Sequence, residues 1–233
     1  MSPSLAGSAG PHVFVEDLDV PTIQPDDVSH LERSLRMRKG DPLTVSDGRG
    51  SWAYAKYSPG QLTLDGPVVH EDQAPWQLTV GFSLVKGSKP EVVIQKLTEL
   101  GVDHIVVLDA ERTIVRWDDA KVASAHERWA RILREAAMQS HRVRMPTLAG
   151  LEPAKDFLAR AGVARADFGN TPIDATHRTI AIGPEGGWSP EEREASSLSV
   201  SLGNTVLRAE TAAIAAGVSM VAARDRAVRP SLG

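Results

Sequence analysis

One segment limits the choice of fold more than any other. Thr179 to Ile182 is a short apolar run that passes directly into Gly183-Pro184-Glu185-Gly186-Gly187-Trp188 and then Ser189-Pro190-Glu191-Glu192. The run reads as a buried strand. The glycines read as a loop that lets backbone approach a ligand closely. Ser189 as N-cap, Pro190 at the first helical position and Glu192 at the third make a capping box. Strand, Gly-rich loop and capped helix place a candidate ligand loop at the C-terminal edge of a parallel sheet. The loop is not G-x-G-x-x-G and lacks the Gly-Lys-Ser/Thr of a P-loop. No Lys or Arg follows it to neutralise phosphate, and Glu185 would repel phosphate. A ligand that is neutral or positively charged suits it better. A plain strand-to-helix connection explains the same residues, and both readings stay open on this segment alone.

A second loop has the same setting. Leu202-Gly203-Asn204-Thr205-Val206-Leu207-Arg208-Ala209-Glu210-Thr211 lies between a strand candidate, Val200 to Leu202, and a helix candidate, Ala209 to Arg224. Two such loops at successive strand ends make two walls of one pocket. An ion pair between Arg208 and Glu210 at the helix start is the simpler reading of those two residues. The helix itself is apolar around most of its circumference, through Ala212, Ala213, Ile214, Ala215, Ala216, Gly217, Val218, Met220 and Val221. Such a helix is normally buried on all sides, inside the domain or at a subunit interface.

The texture of the chain changes near Glu71 to Pro75. Before it, His12 to Glu16, Leu43 to Val45, Trp52 to Tyr57 and Leu62 to Leu64 read as short strands, with turns at Asp47-Gly48 and Pro59-Gly60. Val28 to Met37 has helical spacing. Several short strands at this spacing suggest a small barrel. After it, Leu78 to Val85 reads as a strand. Ser88 and Pro90 open a helix that Gly101 closes. His104 to Leu108 reads as a strand parallel to the first. A long helix capped by Asp118 runs to about Ser140.

Composition narrows the chemistry. The 233 residues include no cysteine, which excludes disulfides, thiolate-bound metals and Cys nucleophiles. No close His pairing replaces them, so a metal site is not expected. No apolar run approaches the ~18 residues of a membrane span. Met1 to Pro11 lacks the pattern of a secretory signal and reads as a frayed leader. The net charge of −4 excludes polyanion binding through bulk charge. Its distribution is uneven: residues 112–144 hold eight Lys/Arg against four Asp/Glu, the reverse of the acidic balance in 1–72. Arg128, Arg131 and Arg134 recur every third residue, flanked by Arg112, Arg116, Arg142 and Arg144. Such a stripe serves RNA phosphates or is a solvated helix face. Trp52, Tyr54 and Lys56 alternate along one strand, as base-stacking residues or as barrel core.

With these residues in view, the chain resembles the RsmE family, the 16S ribosomal RNA (uridine-N3) methyltransferases of the SPOUT class. The matching stretches are Gly183 to Ser189 and Leu207 to Ala213, with Leu84-Val85-Lys86-Gly87, Ile94 to Val102, Glu135 to Ser140 and Leu35 to Asp41 in the same order. The resemblance implies a PUA-like β-barrel RNA-binding domain over 1–72. It implies a SPOUT α/β methyltransferase domain with a C-terminal deep trefoil knot over 73–233. It implies S-adenosyl-L-methionine as cofactor, a homodimer, the 30S ribosomal subunit as partner, a cytoplasmic setting, and neither membrane nor metal. Carried over by position, the cofactor residues are Ile182, Gly183, Pro184, Glu185, Gly186, Gly187, Leu202, Gly203, Asn204, Leu207, Arg208, Ala209 and Thr211. Arg208, Glu185 and Glu210 are the catalytic candidates. Arg36, Arg38, Lys39, Lys86, Arg112, Arg131, Arg134 and Arg142 are the RNA-binding candidates. Methyl transfer to N3 needs no covalent adduct, which agrees with a chain without cysteine. Two alternatives stand beside this: a SPOUT methyltransferase acting on another RNA, and a non-catalytic RNA-binding ribosome-assembly protein. Four departures from the family pattern stand out: Ala209 where Thr is usual, His12-Val13-Phe14 where an Arg-Phe-Phe type start is common, a short stretch from Leu151 to His177, and Phe168-Gly169-Asn170 in place of an acidic strand end.

Overall fold

The computed structural model describes residues 10–169 and 171–228. Most of the leader assigned to Met1 to Pro11, and Asn170 of the Phe168-Gly169-Asn170 departure, lie outside the described residues. The chain divides into two compact units, one of residues 1–74 with 137–145, the other of 75–136 with 146–233. A single cut after residue 72 leaves out the return of 137–145 to the first unit.

The first unit is built on a five-stranded sheet. Its strands are β1 (His12–Phe14), β2 (Pro42–Ser46), β3 (Ser51–Ser58), β4 (Gln61–Leu64) and β5 (Val69–His70). They run in the order β1-β2-β3-β4, with β5 also on β3. Only β1 and β2 are parallel; the other pairs are antiparallel. A short helix α1 (Pro25–Ser29) and one π-helical turn (His30–Ser34) stand where a single helix over Val28 to Met37 is expected. Leu31, Leu43, Val45, Ala53, Ala55 and Tyr57 form the core. Along β3 the side chains alternate, with Ala53, Ala55 and Tyr57 buried and Tyr54 and Lys56 exposed. Trp52 breaks the alternation. It is fully buried against Val143 and Val69, with the Tyr54 ring edge-on at 5.2 Å. Trp52 is therefore core and takes no part in base stacking, while Tyr54 stays exposed and Lys56 is paired with Asp65 at 3.0 Å. Arg144 is structural too. It donates to the Arg49 carbonyl and, at 2.6 Å, to the Glu71 carbonyl.

The second unit is a six-stranded sheet that is parallel throughout. Its strands are β6 (Thr79–Ser83), β7 (His104–Asp109), β8 (Thr147–Pro153), β9 (Val163–Ala166), β10 (Thr179–Ile182) and β11 (Leu198–Val200). The spatial order is β11-β9-β10-β6-β7-β8. The helices are α2 (Lys89–Leu100), α3 (Asp119–Gln139), α4 (Ala154–Leu158), α5 (Pro190–Ala195) and α6 (Ala209–Val228). Asp118 caps α3 through Lys121 N–H at 2.8 Å. Gly101 closes α2 in the left-handed conformation at φ 97°. Ser88 stands at the N-cap of α2 but makes no side-chain cap bond: its backbone, at φ −85° and ψ 6°, is not in the extended conformation of a capping residue, and Pro90 removes one of the two N–H donors a cap could use.

α6 is not buried on all sides within one chain. Ala209, Ala212, Ala213, Ala216, Gly217, Met220 and Ala223 are buried, while Ile214, Ala215 and Val221 are half-buried and Val218 is 48% exposed. It packs on α2 at Gly217, where an added Cβ would lie 2.7 Å from Leu97. Among the described residues no helix is long and apolar enough to cross a membrane.

Candidate active site

An open cleft lies at the C-terminal ends of β9, β10 and β11. Parallel α/β sheets bind ligands at this edge because the loops there are free of sheet pairing. The Gly-rich loop 183–187 follows β10 and the loop 202–208 follows β11, as the sequence suggests. The two strands are not neighbours, since β9 lies between them. That arrangement adds a third wall, Ala166, Asp167 and Phe168. The sequence marks this stretch only through the Phe168-Gly169-Asn170 departure, and its place beside the cleft depends on where β9 enters the sheet.

Tight packing shapes the loops. At Gly183 a Cβ would lie 2.9 Å from the Trp188 ring, so no larger residue fits without moving it. Trp188 is buried and donates Nε1–H to the Ala166 carbonyl at 3.1 Å, joining two walls. The capping box is present: Ser189 N–H donates to Glu192 Oε2 at 2.9 Å, and Glu192 N–H donates to Ser189 Oγ at 3.3 Å.

Of the cofactor candidates, Ile182, Gly183, Pro184, Glu185, Gly187, Leu202, Gly203, Leu207 and Ala209 line the cleft. Gly186, Asn204, Arg208 and Thr211 do not line it. Arg193 does, although no cation is expected there from the sequence. Its guanidinium is committed to Asp167, which also faces Arg165 at 3.4 Å. Among the groups that line the cleft, Asp167 balances Arg193 and Glu185 is left as the remaining charge. Phe168, Leu202, Val206 and Leu207 give the rest an apolar character.

The catalytic candidates are tied together by a residue that sequence reasoning does not single out. Lys89, at the start of α2, lies 3.0 Å from Glu210 and 3.9 Å from Glu185. The expected Arg208–Glu210 pair is replaced by this one. Burial raises the Glu210 carboxyl, but a backbone hydrogen bond, Lys89 and Arg208 outweigh it and hold the carboxyl below its ordinary range. Glu210 Oε2 is buried with no hydrogen-bond partner among the described residues. Arg208 is exposed beside it.

The RNA-binding candidates fall evenly into both units. Arg36, Arg38, Lys39 and Arg142 belong to the first, and Lys86, Arg112, Arg131 and Arg134 to the second. Arg142 and Arg134 are half-buried; the other six are exposed. Arg128 and Arg116, also in the basic stretch, are paired with Glu91 and Asp109.

An RNA methyltransferase domain model matches residues 72–221. A ribosomal RNA small subunit methyltransferase E of Mycobacterium bovis is 30% identical over 220 residues, covering 84% of each chain. The chain belongs to the ribosomal RNA small subunit methyltransferase E family. Solved structures agree with the family fold. A methyltransferase of Legionella pneumophila in complex with bound SAM has a TM-score of 0.81 at 28% identity, covering 93% of this chain and 98% of its own. A methyltransferase E of Neisseria gonorrhoeae bound to S-adenosyl methionine has a TM-score of 0.74 at 26% identity, covering 90% and 96%. Methyltransferase E relatives therefore share both units of this chain.

Proposed function

We propose that this chain transfers a methyl group from S-adenosylmethionine to N3 of a uridine in 16S ribosomal RNA. The observation that carries this reading is the three-walled cleft at the sheet edge in a member of this family. The cleft suits the cofactor in shape and charge: glycines where backbone must come close, apolar side chains for a purine, and no uncommitted cation to repel a sulfonium. When bound, S-adenosylmethionine supplies a methyl carbon made electrophilic by positively charged sulfur.

The chain's own residues have three tasks. The loops 183–187 and 202–208 hold the donor in line with the attacking nitrogen. Glu185 lines the cleft and takes the imide proton as N3 attacks. Glu210 lies off the cleft and its proton affinity is lowered, so it serves to hold Lys89. Arg208 donates to the uracil oxygen on which negative charge develops. Methyl leaves sulfur for N3 and the proton leaves N3 for Glu185, so the products are neutral N3-methyluridine and S-adenosylhomocysteine.

Three further features belong to this proposal. The chain path through loops 183–187 and 202–208 is a deep trefoil knot of the SPOUT kind, with the first unit as a PUA-like RNA-binding barrel. The half-exposed face of α6, with Val218, is covered by a second copy in a homodimer. The eight basic candidates hold RNA phosphates in the cytoplasm, where the 30S subunit is found.

The decisive experiment is methyl transfer from labelled S-adenosylmethionine to 30S subunits from a strain lacking this gene, with nucleosides identified by mass. N3-methyluridine at one site is expected. A different methylated nucleoside, or no transfer despite cofactor binding, would move the reading to another base or another RNA.

A further inference from the structure

The segment 110–116, between β7 and α3, is fastened to the donor loop more firmly than a surface connection requires. Arg116 shapes it from within, donating to Asp109 Oδ1 at 2.6 Å and to the Glu111 carbonyl at 2.8 Å. The outer fastening is Glu192, whose residue is only 3% exposed. A capping box uses one carboxylate oxygen, and here Oε2 takes Ser189 N–H. The other oxygen, Oε1, accepts Glu111 N–H at 2.8 Å. The next residue, Arg112, then lies against the donor loop. A Cβ on Gly186 would meet its Cβ and its carbonyl oxygen, each at 3.3 Å, and its Nη1 donates to the Gly186 carbonyl at 3.4 Å.

Charge makes this placement informative. Arg116, Arg128, Arg160, Arg165, Arg193 and Arg224 are each paired with a carboxylate inside the second unit. Arg112 is exposed and makes no ion pair among the described residues. The carboxylate that holds the preceding residue, Glu192, is buried and accepts from two N–H donors. An unpaired guanidinium is thus held at the outer face of the very loop that meets the donor.

We propose that Glu192 is a positioning residue that couples the donor loop to Arg112, so that methyl donor and an RNA phosphate bind cooperatively. This rests on the function proposed above. A donor that orders residues 183–187 also orders Arg112, through the Glu192 bonds and the Gly186 contact. RNA then binds a guanidinium whose ordering cost is already met, and by linkage RNA tightens donor binding by the same factor.

The test uses the full chain and 30S subunits from a strain lacking this gene, with S-adenosylhomocysteine as a donor-site ligand that cannot react. Subunit affinity is measured with and without it, at several salt concentrations. In the unaltered protein, S-adenosylhomocysteine should tighten subunit binding roughly tenfold. Glu192→Gln keeps the shape but offers one acceptor for two donors. It and Arg112→Gln should each bring the tightening to within about twofold of none, and each should lower the salt slope by up to about 1. The double variant should lose no more than Arg112→Gln alone. Gly186→Ala keeps both Glu192 bonds and crowds Arg112, so it carries the test if Glu192→Gln does not fold. Tightening that survives in Glu192→Gln or Gly186→Ala, or losses that simply multiply in the double variant, would overturn the coupling. Calorimetry of S-adenosylhomocysteine without RNA separates the two failures. Binding there with no coupling sinks this inference alone, and no binding sinks the proposed function with it.

Discussion

The two units use their buried polar groups differently, the second around the Ser189–Glu192 helix cap. The first unit centres them on a histidine inside its sheet. His12 is 3% exposed, with Nδ1 2.9 Å from Thr44 Oγ1, Nε2 2.9 Å from Ser46 Oγ, and His141 stacked at 5.7 Å. The second unit keeps its functional groups on loops at one sheet edge and packs its interior with Val106, Leu108, Phe157 and Ala181. The difference follows from strand direction. Antiparallel hairpins leave short turns with little room for a site, whereas parallel strands need crossovers whose loops gather at one end. The first unit is thus expected to respond to changes of core and pH, and the second to changes at loop backbone.

The largest expected effect tests whether this division is real. Trp52→Ala should destabilise the first unit by about 3–5 kcal/mol in urea melts. Donor binding should be unchanged by calorimetry, and a parallel fall in donor affinity would break the comparison. Trp52→Phe sharpens it: the Trp52 Nε1 is buried without a partner, so removing it should cost far less. The converse change is Gly183→Val, which drives a side chain into the Trp188 ring. Donor affinity should fall at least ~100-fold, by roughly the cost of an overpacked contact, while the melt of the first unit stays put.

Acid provides the third test. Burial, and then the neighbouring His141, push the His12 imidazole down from 6.5 to about 3, against a smaller upward pull from a backbone hydrogen bond with Arg142. The folded chain therefore keeps His12 neutral where the unfolded chain takes up a proton. Stability is full above pH 6.5 and falls as the pH drops towards 3. Between pH 6.5 and 5 the loss is about 2 kcal/mol. His141, also lowered by burial, acts in the same direction. His12→Gln should flatten the slope, and an unaltered slope would place the acid sensitivity elsewhere. The smallest expected effect is at Lys89. Lys89→Met removes the cation between Glu210 and Glu185 and should lower methyl transfer about tenfold, the scale of one partly exposed ionic hydrogen bond. Its pH–rate profile should shift its acid limb upward as the Glu210 carboxyl loses the cation that helps hold it below its ordinary range.

What the sequence reveals about the molecule follows the range of the interactions. The segment Thr179 to Glu192 is legible because strand, loop and cap are all set by adjacent residues. β7, the Asp118 cap and the Gly101 stop are legible for the same reason. β8 is not, since Thr147–Pro153 contains Gly150 and is mostly half-buried at the sheet edge, so neither alternation nor a continuous apolar run appears. Phe168 stands out in the sequence only as a departure from the family pattern; that it and Asp167 wall the cleft depends on β9 lying between β10 and β11. Lys89 reads as an ordinary helix-start cation, and only the tertiary fold brings it to Glu210. Trp52 reads equally as a base-stacking residue or as barrel core until Val143, far along the chain, covers it.

The position of β9 also dictates an order of events. In the chain the strands run β6 to β11, but β11 pairs only with β9, and β9 in turn with β10. The last strand therefore reaches the sheet only through β9, which is itself held by β10, and β10 by β6. Such distant pairings are slow to form. A nascent chain that stops short of Leu198 can assemble five of the six strands and still lack the loop 202–208. Hydrogen exchange during refolding should protect the amides of β11 after those of β6, β7 and β10. Completion of the cleft is in this sense a late checkpoint, reached only by chains whose sheet is already correct.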